Sequence, residues 1–100
     1  MFKNVAGQKW RVIVFQSDNS RVLGDAANIT AKISIDFAAP VPLTDTNPTE
    51  VEDGYYVFDI TQAESNGDVL MLYPESSTPD ANVLGDPPTT FTRVALQRAY

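Results

Sequence analysis

The sequence predicts an all-β domain, a two-sheet antiparallel sandwich of immunoglobulin-like kind with one short helical turn. Segments of strand length, rich in β-branched and aromatic residues, recur along the chain, six to eight in all. Turn signals separate them about every ten residues, and the single helix-start signal is closed within a few residues by a glycine. Short strands at this spacing, with no alternation of strand and long helix, favour a sandwich over an α/β fold.

Lys9 to Phe15 (KWRVIVF) reads as the first strand, ended by the polar cluster 16–20. Gly24 to Ala27 supplies a turn. Asn28 to Ile35 follows, where Ile29, Ala31, Ile33 and Ile35 alternate with Thr30, Lys32 and Ser34. That period of two is expected where one sheet face is buried and the other is wet. Residues 38–50 contain Pro40, Pro42 and Pro48, which cannot donate to a ladder, so an edge strand followed by an exposed loop is expected. Asp53-Gly54 turns the chain into Tyr55 to Ile60 (YYVFDI), with Tyr56, Phe58 and Ile60 on one face.

Thr61-Gln62-Ala63-Glu64 has the pattern of a capping box, in which the Thr and Glu side chains satisfy each other's backbone donors. Gly67 limits any helix there to one or two turns. Asp68 to Tyr73 is an apolar run of strand length. Residues 81–84 and 89–92 read as two more strands, split by Gly85-Asp86-Pro87-Pro88. The expected core is Ile29, Ile33, Ile35, Tyr56, Phe58, Ile60, Leu70 and Leu72. One hundred residues make one domain, expected over 1–92, with 93–100 as an amphiphilic tail docking on a neighbouring subunit.

The formal net charge is −6, which argues against nucleic acid as a partner. Its distribution is uneven: residues 36–86 hold eleven acids and no base, while five of the seven Lys and Arg residues fall in 1–35. A solvated acidic surface accounts for this, and so does a dipolar module whose basic end docks on an acidic neighbour or another copy of itself. The first residues lack the apolar run of a signal peptide, and the longest uninterrupted apolar stretch, 69–73, is far short of a membrane span. The expectation is a chain made in a reducing cytoplasm, with no membrane partner.

With no histidine and no cysteine, the usual zinc sites, Ser-His relays and thiol catalysis have no residues to use. The five glycines are scattered singly, so no phosphate-binding loop is present. Glu50, Glu52 and Asp53 are read as solvated charge in preference to a catalytic pair. Asp45, Asn47, Glu50, Glu52 and Asp53 offer oxygen ligands but lack the spacing of a calcium loop. Trp10, Tyr55, Tyr56, Phe58 and Tyr73 are read as core or subunit contact before a sugar-stacking set. No catalytic residue, cofactor or metal is expected, and the chain is read as a non-enzyme.

Three segments carry a resemblance: MFKNVAGQKW at 1–10, GDAANITAKIS at 24–34 and GYYVFDITQAESNGDVLMLYPESST at 54–78. Together they resemble a group of tailed-bacteriophage structural modules of about this length, associated with the virion, baseplate or fibre. The resemblance spans roughly 1–92 and implies a β-sandwich that attaches to a phage particle. Chains of this group often continue into a long distal region after the segment matching Phe91-Thr92. Here eight residues follow, which directs the expectation to an accessory protein that decorates or cements the capsid. The alternatives are a tail, baseplate or fibre adaptor, or a module binding a host-surface glycan or protein. Expected partners are other virion proteins, capsid or tail subunits, and a homo-oligomer of the chain itself, with the virion as location after assembly in the host cytoplasm. Both ends of the chain are basic and amphiphilic. The expected partner contacts are therefore Phe2, Lys3, Lys9 and Trp10 at one end and Arg93, Leu96, Arg98 and Tyr100 at the other.

Overall fold

The computed structural model describes residues 1–86 of the chain; the expected strand at 89–92 and the tail contacts Arg93, Leu96, Arg98 and Tyr100 lie outside the described residues. Among these residues seven strands form two antiparallel sheets: β1 (Gln8–Phe15), β2 (Ile29–Ile35), β3 (Val41–Pro42), β4 (Thr49–Glu52), β5 (Tyr55–Ile60), β6 (Leu70–Ser76) and β7 (Asn82–Gly85). One sheet has the order β4-β5-β1-β7 and the other β3-β2-β6. If β1 is taken as strand B of an immunoglobulin domain, β4-β5-β1 corresponds to D-E-B and β3-β2-β6 to C′-C-F. The last described strand departs from that scheme, pairing with β1 on the first sheet in the place a strand A would take.

The core lies between the sheets. β1 contributes Trp10, Val12 and Val14, β5 contributes Tyr56, Phe58 and Ile60, and the facing sheet contributes Ile29, Ala31, Ile33 and Leu70. Leu43 closes one side. Ile35 and Leu72, expected in the core, pack against it only partly buried, because both lie toward the rim of the small sheet. Trp10 stacks tilted on Phe58 with ring centroids 5.7 Å apart, and its Nε1 donates to the Asp86 carbonyl at 2.7 Å. A Cβ at position 85 would sit 2.0 Å from the Trp10 ring, so the indole needs glycine on β7.

Two turns follow directly from local chemistry. Asp53 and Gly54, at φ 52° and 80°, make the two-residue connection between β4 and β5 that an Asp-Gly pair favours. Thr61 and Glu64 cap each other: the Glu64 N–H donates to Thr61 Oγ1 at 3.2 Å, and the Thr61 N–H donates to Glu64 Oε1 at 2.9 Å. The expected short helix does not propagate: residues 62–65 make only turns, closed by a single helical bond from the Ser65 N–H to the Thr61 carbonyl at 3.2 Å. The Glu64 side chain explains why the box survives without one. It is buried, and its other oxygen accepts the Thr44 N–H at 2.9 Å, so the cap serves a crossing between sheets.

The remaining departures from expectation have simple causes. β6 runs three residues beyond Tyr73, through Pro74, which is tolerated because among the described residues β6 is bonded only to β2 and forms the edge of its sheet. The proline-rich stretch gives the two-residue β3 and then β4. The turn at 24–27 tightens into a single 3-10 turn at Ala26–Asn28.

Candidate functional site

The N-terminal contact set divides once it is placed in the fold. Trp10 is a core residue, only 4% exposed, so it is not available as a surface anchor. The alternation of Lys9 and Arg11 with Trp10 and Val12 already marks Trp10 as inward, in line with its reading as a core residue and against its reading as a contact. Phe2 is half-buried in a segment held against its own sandwich. The Gln8 side chain grips that segment, accepting the Phe2 N–H at 2.6 Å and donating to the Phe2 and Val5 carbonyls. Ser65 holds it from the other side, accepting the Asn4 N–H on its carbonyl and the Val5 N–H on Oγ.

The basic residues near the N-terminus are paired within the chain. Lys3 meets Asp68 at 2.7 Å, Lys9 meets Asp59, and Arg11 meets Asp86 at 2.7 Å. Asp68 raises the Lys3 pKa, and Asp86 that of Arg11, first by hydrogen bonding and then by charge. The three pairs join the basic start of the chain to its acidic middle, a match in cis that separations of 50 or more residues hid from the sequence. Such exposed pairs contribute little stability, and they leave the cations on the surface.

Three of the five oxygen-bearing side chains weighed as ligands are likewise engaged in backbone contacts. The Asp45 carboxylate accepts the Asp59 N–H, the Asn47 amide donates to the Ala27 and Ile29 carbonyls, and the Glu50 carboxylate accepts the Gly24 N–H. Among the described residues no group of three or more His, Cys, Asp or Glu is placed to hold a metal ion. Asp25, 3% exposed, is like Glu64 a buried carboxylate. Burial alone would raise its pKa, but donors from Ser76, Thr78 and Asn28 outweigh it and hold the carboxyl below its ordinary value. The Tyr56 hydroxyl beside it accepts the Asp25 N–H and donates to the Val22 carbonyl, and burial pushes its pKa up. Every polar atom in this pair of residues has a fold partner, so the network is a clip between the sheets.

The described residues also present apolar groups outward. On the outer face of the four-stranded sheet, Ile13 lies in register between Tyr55 and Leu84. Leu23 and Val51 flank Tyr55. These side chains line two open hollows that share Tyr55, one of about 690 Å³ (Leu23, Val51, Glu52, Asp53, Tyr55) and one of about 230 Å³ toward Leu84. Leu23, Val51 and Leu84 are 63%, 65% and 62% exposed, too much apolar surface in one place to be scattered chance. Arg21 covers one side of Tyr55, its guanidinium 5.4 Å from the ring centroid.

A second exposed apolar feature sits on the small sheet. Phe37 is 74% exposed at the tip of the β2–β3 turn, where Asp36 and Phe37 have φ of 50° and 65°. A bulky residue in that left-handed region is rare, and glycine or asparagine is the ordinary occupant. The turn is held by Asp36, whose carboxylate accepts the Asp68 and Val69 N–H groups. Exposed Val41 and Tyr73 lie on the same sheet. Tyr55 and Tyr73 are readable from the sequence as core or subunit contact, but nothing in it places Leu23, Val51 and Leu84 beside Tyr55 or leaves Phe37 exposed.

Compared with family models, with curated proteins and with solved structures, the chain matches none.

Proposed function

We propose that the chain is a non-catalytic attachment module of a tailed-phage particle, and specifically an accessory subunit that decorates or cements the capsid. The observation that carries the reading is the apolar outer face around Tyr55, a surface suited to covering by protein. The resemblance of the three sequence segments supplies the phage context. The buried carboxylates Asp25 and Glu64 are engaged in holding the fold together, which fits a structural role. Other virion proteins and further copies of the chain are the proposed partners.

Quantitative mass spectrometry of purified particles tests this. A decorating subunit is expected at the stoichiometry of the capsid protein, and an adaptor at that of tail components. Particles that lack the chain altogether overturn the reading. Replacing Val51 with Glu in the particle-borne chain is expected to reduce incorporation at least about tenfold, as loss of a central apolar contact does.

A further inference from the structure

We infer that the apolar face around Tyr55 receives residues 91–100 of a second copy of this chain, so that the module self-associates by donating its C-terminal segment. The inference rests on the reading of the chain as an attachment module and names one of its partners.

The face needs an occupant of matching chemistry. It offers Ile13, Val51, Tyr55 and Leu84 as apolar ground, with exposed Glu52 and Asp53 at one edge. The sequence 91–100, FTRVALQRAY, supplies apolar Phe91, Val94, Leu96 and Tyr100 together with Arg93 and Arg98, and no acid. Apolar residues thus meet apolar residues, and a segment of charge +2 meets a rim on which Glu52, Asp53 and Asp86 outnumber Arg11 and Arg21. The basic residues of 1–11 are less suited, since Lys3, Lys9 and Arg11 each have an acidic partner in their own chain.

Geometry favours a second copy over the chain's own segment. β7 runs antiparallel to β1, and the Asp86 N–H donates to the Arg11 carbonyl, so the chain leaves the sheet heading past Arg11 and away from Ile13. Asp86 precedes proline and is thereby biased to extended backbone. To cover its own Tyr55 the chain would have to turn back across β1 after Asp86, whereas a neighbour lies within reach of the fourteen residues that follow, which span at most about 46 Å. A contact in which one surface receives a different surface of the next copy is heterologous, and it builds rings or strings of subunits.

Sedimentation velocity of the purified full chain over a concentration series is the test, with Val51→Glu as the face variant and Leu96→Glu as the segment variant. The parent is expected to self-associate, and each variant alone to do so at least about tenfold more weakly. The two variants mixed are expected to regain a one-to-one complex, because the face variant keeps its segment and the segment variant keeps its face. Thermal melts of each variant at low concentration, unchanged from the parent, show that folding is intact; Tyr55→Ser replaces Val51→Glu if the latter melts early. A parent that stays monomeric throughout overturns the inference, whether the face is then covered by the chain's own segment or by another protein. So does self-association that survives both substitutions, or a mixture that fails to reassemble. None of these results alters the particle stoichiometry, so failure here and failure of the capsid reading are separable.

Discussion

At the scale of single residues, Phe37 is where the chain departs furthest from what local energetics prefer. A large aromatic group stands in solvent on a left-handed turn that glycine would adopt without strain. Substitution of Phe37 by Gly is expected to raise stability by about 1 kcal/mol through relief of that strain, partly offset by a more flexible unfolded chain. A selected contact role would show as reduced particle incorporation in the same, more stable variant. Urea denaturation and particle assays read the two effects separately; a Phe37→Gly chain that is destabilised by a similar amount would mean that the ring packs against its own fold.

Residue identity was legible in the sequence where burial was one-sided. Ile29, Ala31 and Ile33 were found by alternation because the outward residues of β2, Thr30 and Lys32, are polar. Val12 and Val14 were less legible, because Ile13 and Phe15 on the opposite face of β1 are also apolar, whereas Trp10 lies between charged Lys9 and Arg11. The ambiguity has a physical cause, and it points to the same surface that the structure leaves uncovered.

At the scale of elements, the strands were legible to within a few residues and their partners were not. Turn chemistry fixed the β4–β5 hairpin through Asp53-Gly54, but nothing local states that the last described strand joins β1 and not β6. The Thr61–Glu64 box shows how a local motif is reused. Its side chains bond as the pattern requires, yet the element it would begin is absent, and Glu64 instead joins the Thr44 backbone to the β5–β6 connection. Loss of the Thr61 hydroxyl in Thr61→Ala should cost about 1 kcal/mol, an ordinary cap value. Glu64→Ala should cost more, about 2–3 kcal/mol, because it strands two backbone donors in place of one. Equal losses in urea denaturation would show that the Thr44 contact contributes nothing.

At the scale of the whole molecule, the two sheets are joined by a polar clip as well as by the apolar core, and the clip makes stability depend on acid. Asp25 gathers Asn28, Ser76 and Thr78 from the small-sheet side and gives its N–H to Tyr56 of the large sheet. Its carboxyl is held below the usual range in the folded state, so the folded protein binds fewer protons than the unfolded chain once the pH drops toward about 4. The stabilisation from the ionised group is therefore fully present above that pH, and is lost as the pH falls through the lower, folded-state value. Asp25→Asn keeps the shape but removes the charge that the three donors face. It is expected to be about 2 kcal/mol less stable than the parent at neutral pH. The gap should narrow as the pH is lowered, since protonation takes the same charge from the parent. Urea denaturation of both proteins at neutral pH and near pH 3 measures the gap directly. A difference that does not change with pH would mean that the hydroxyl and amide donors stabilise Asp25 by shape alone, and not through its charge.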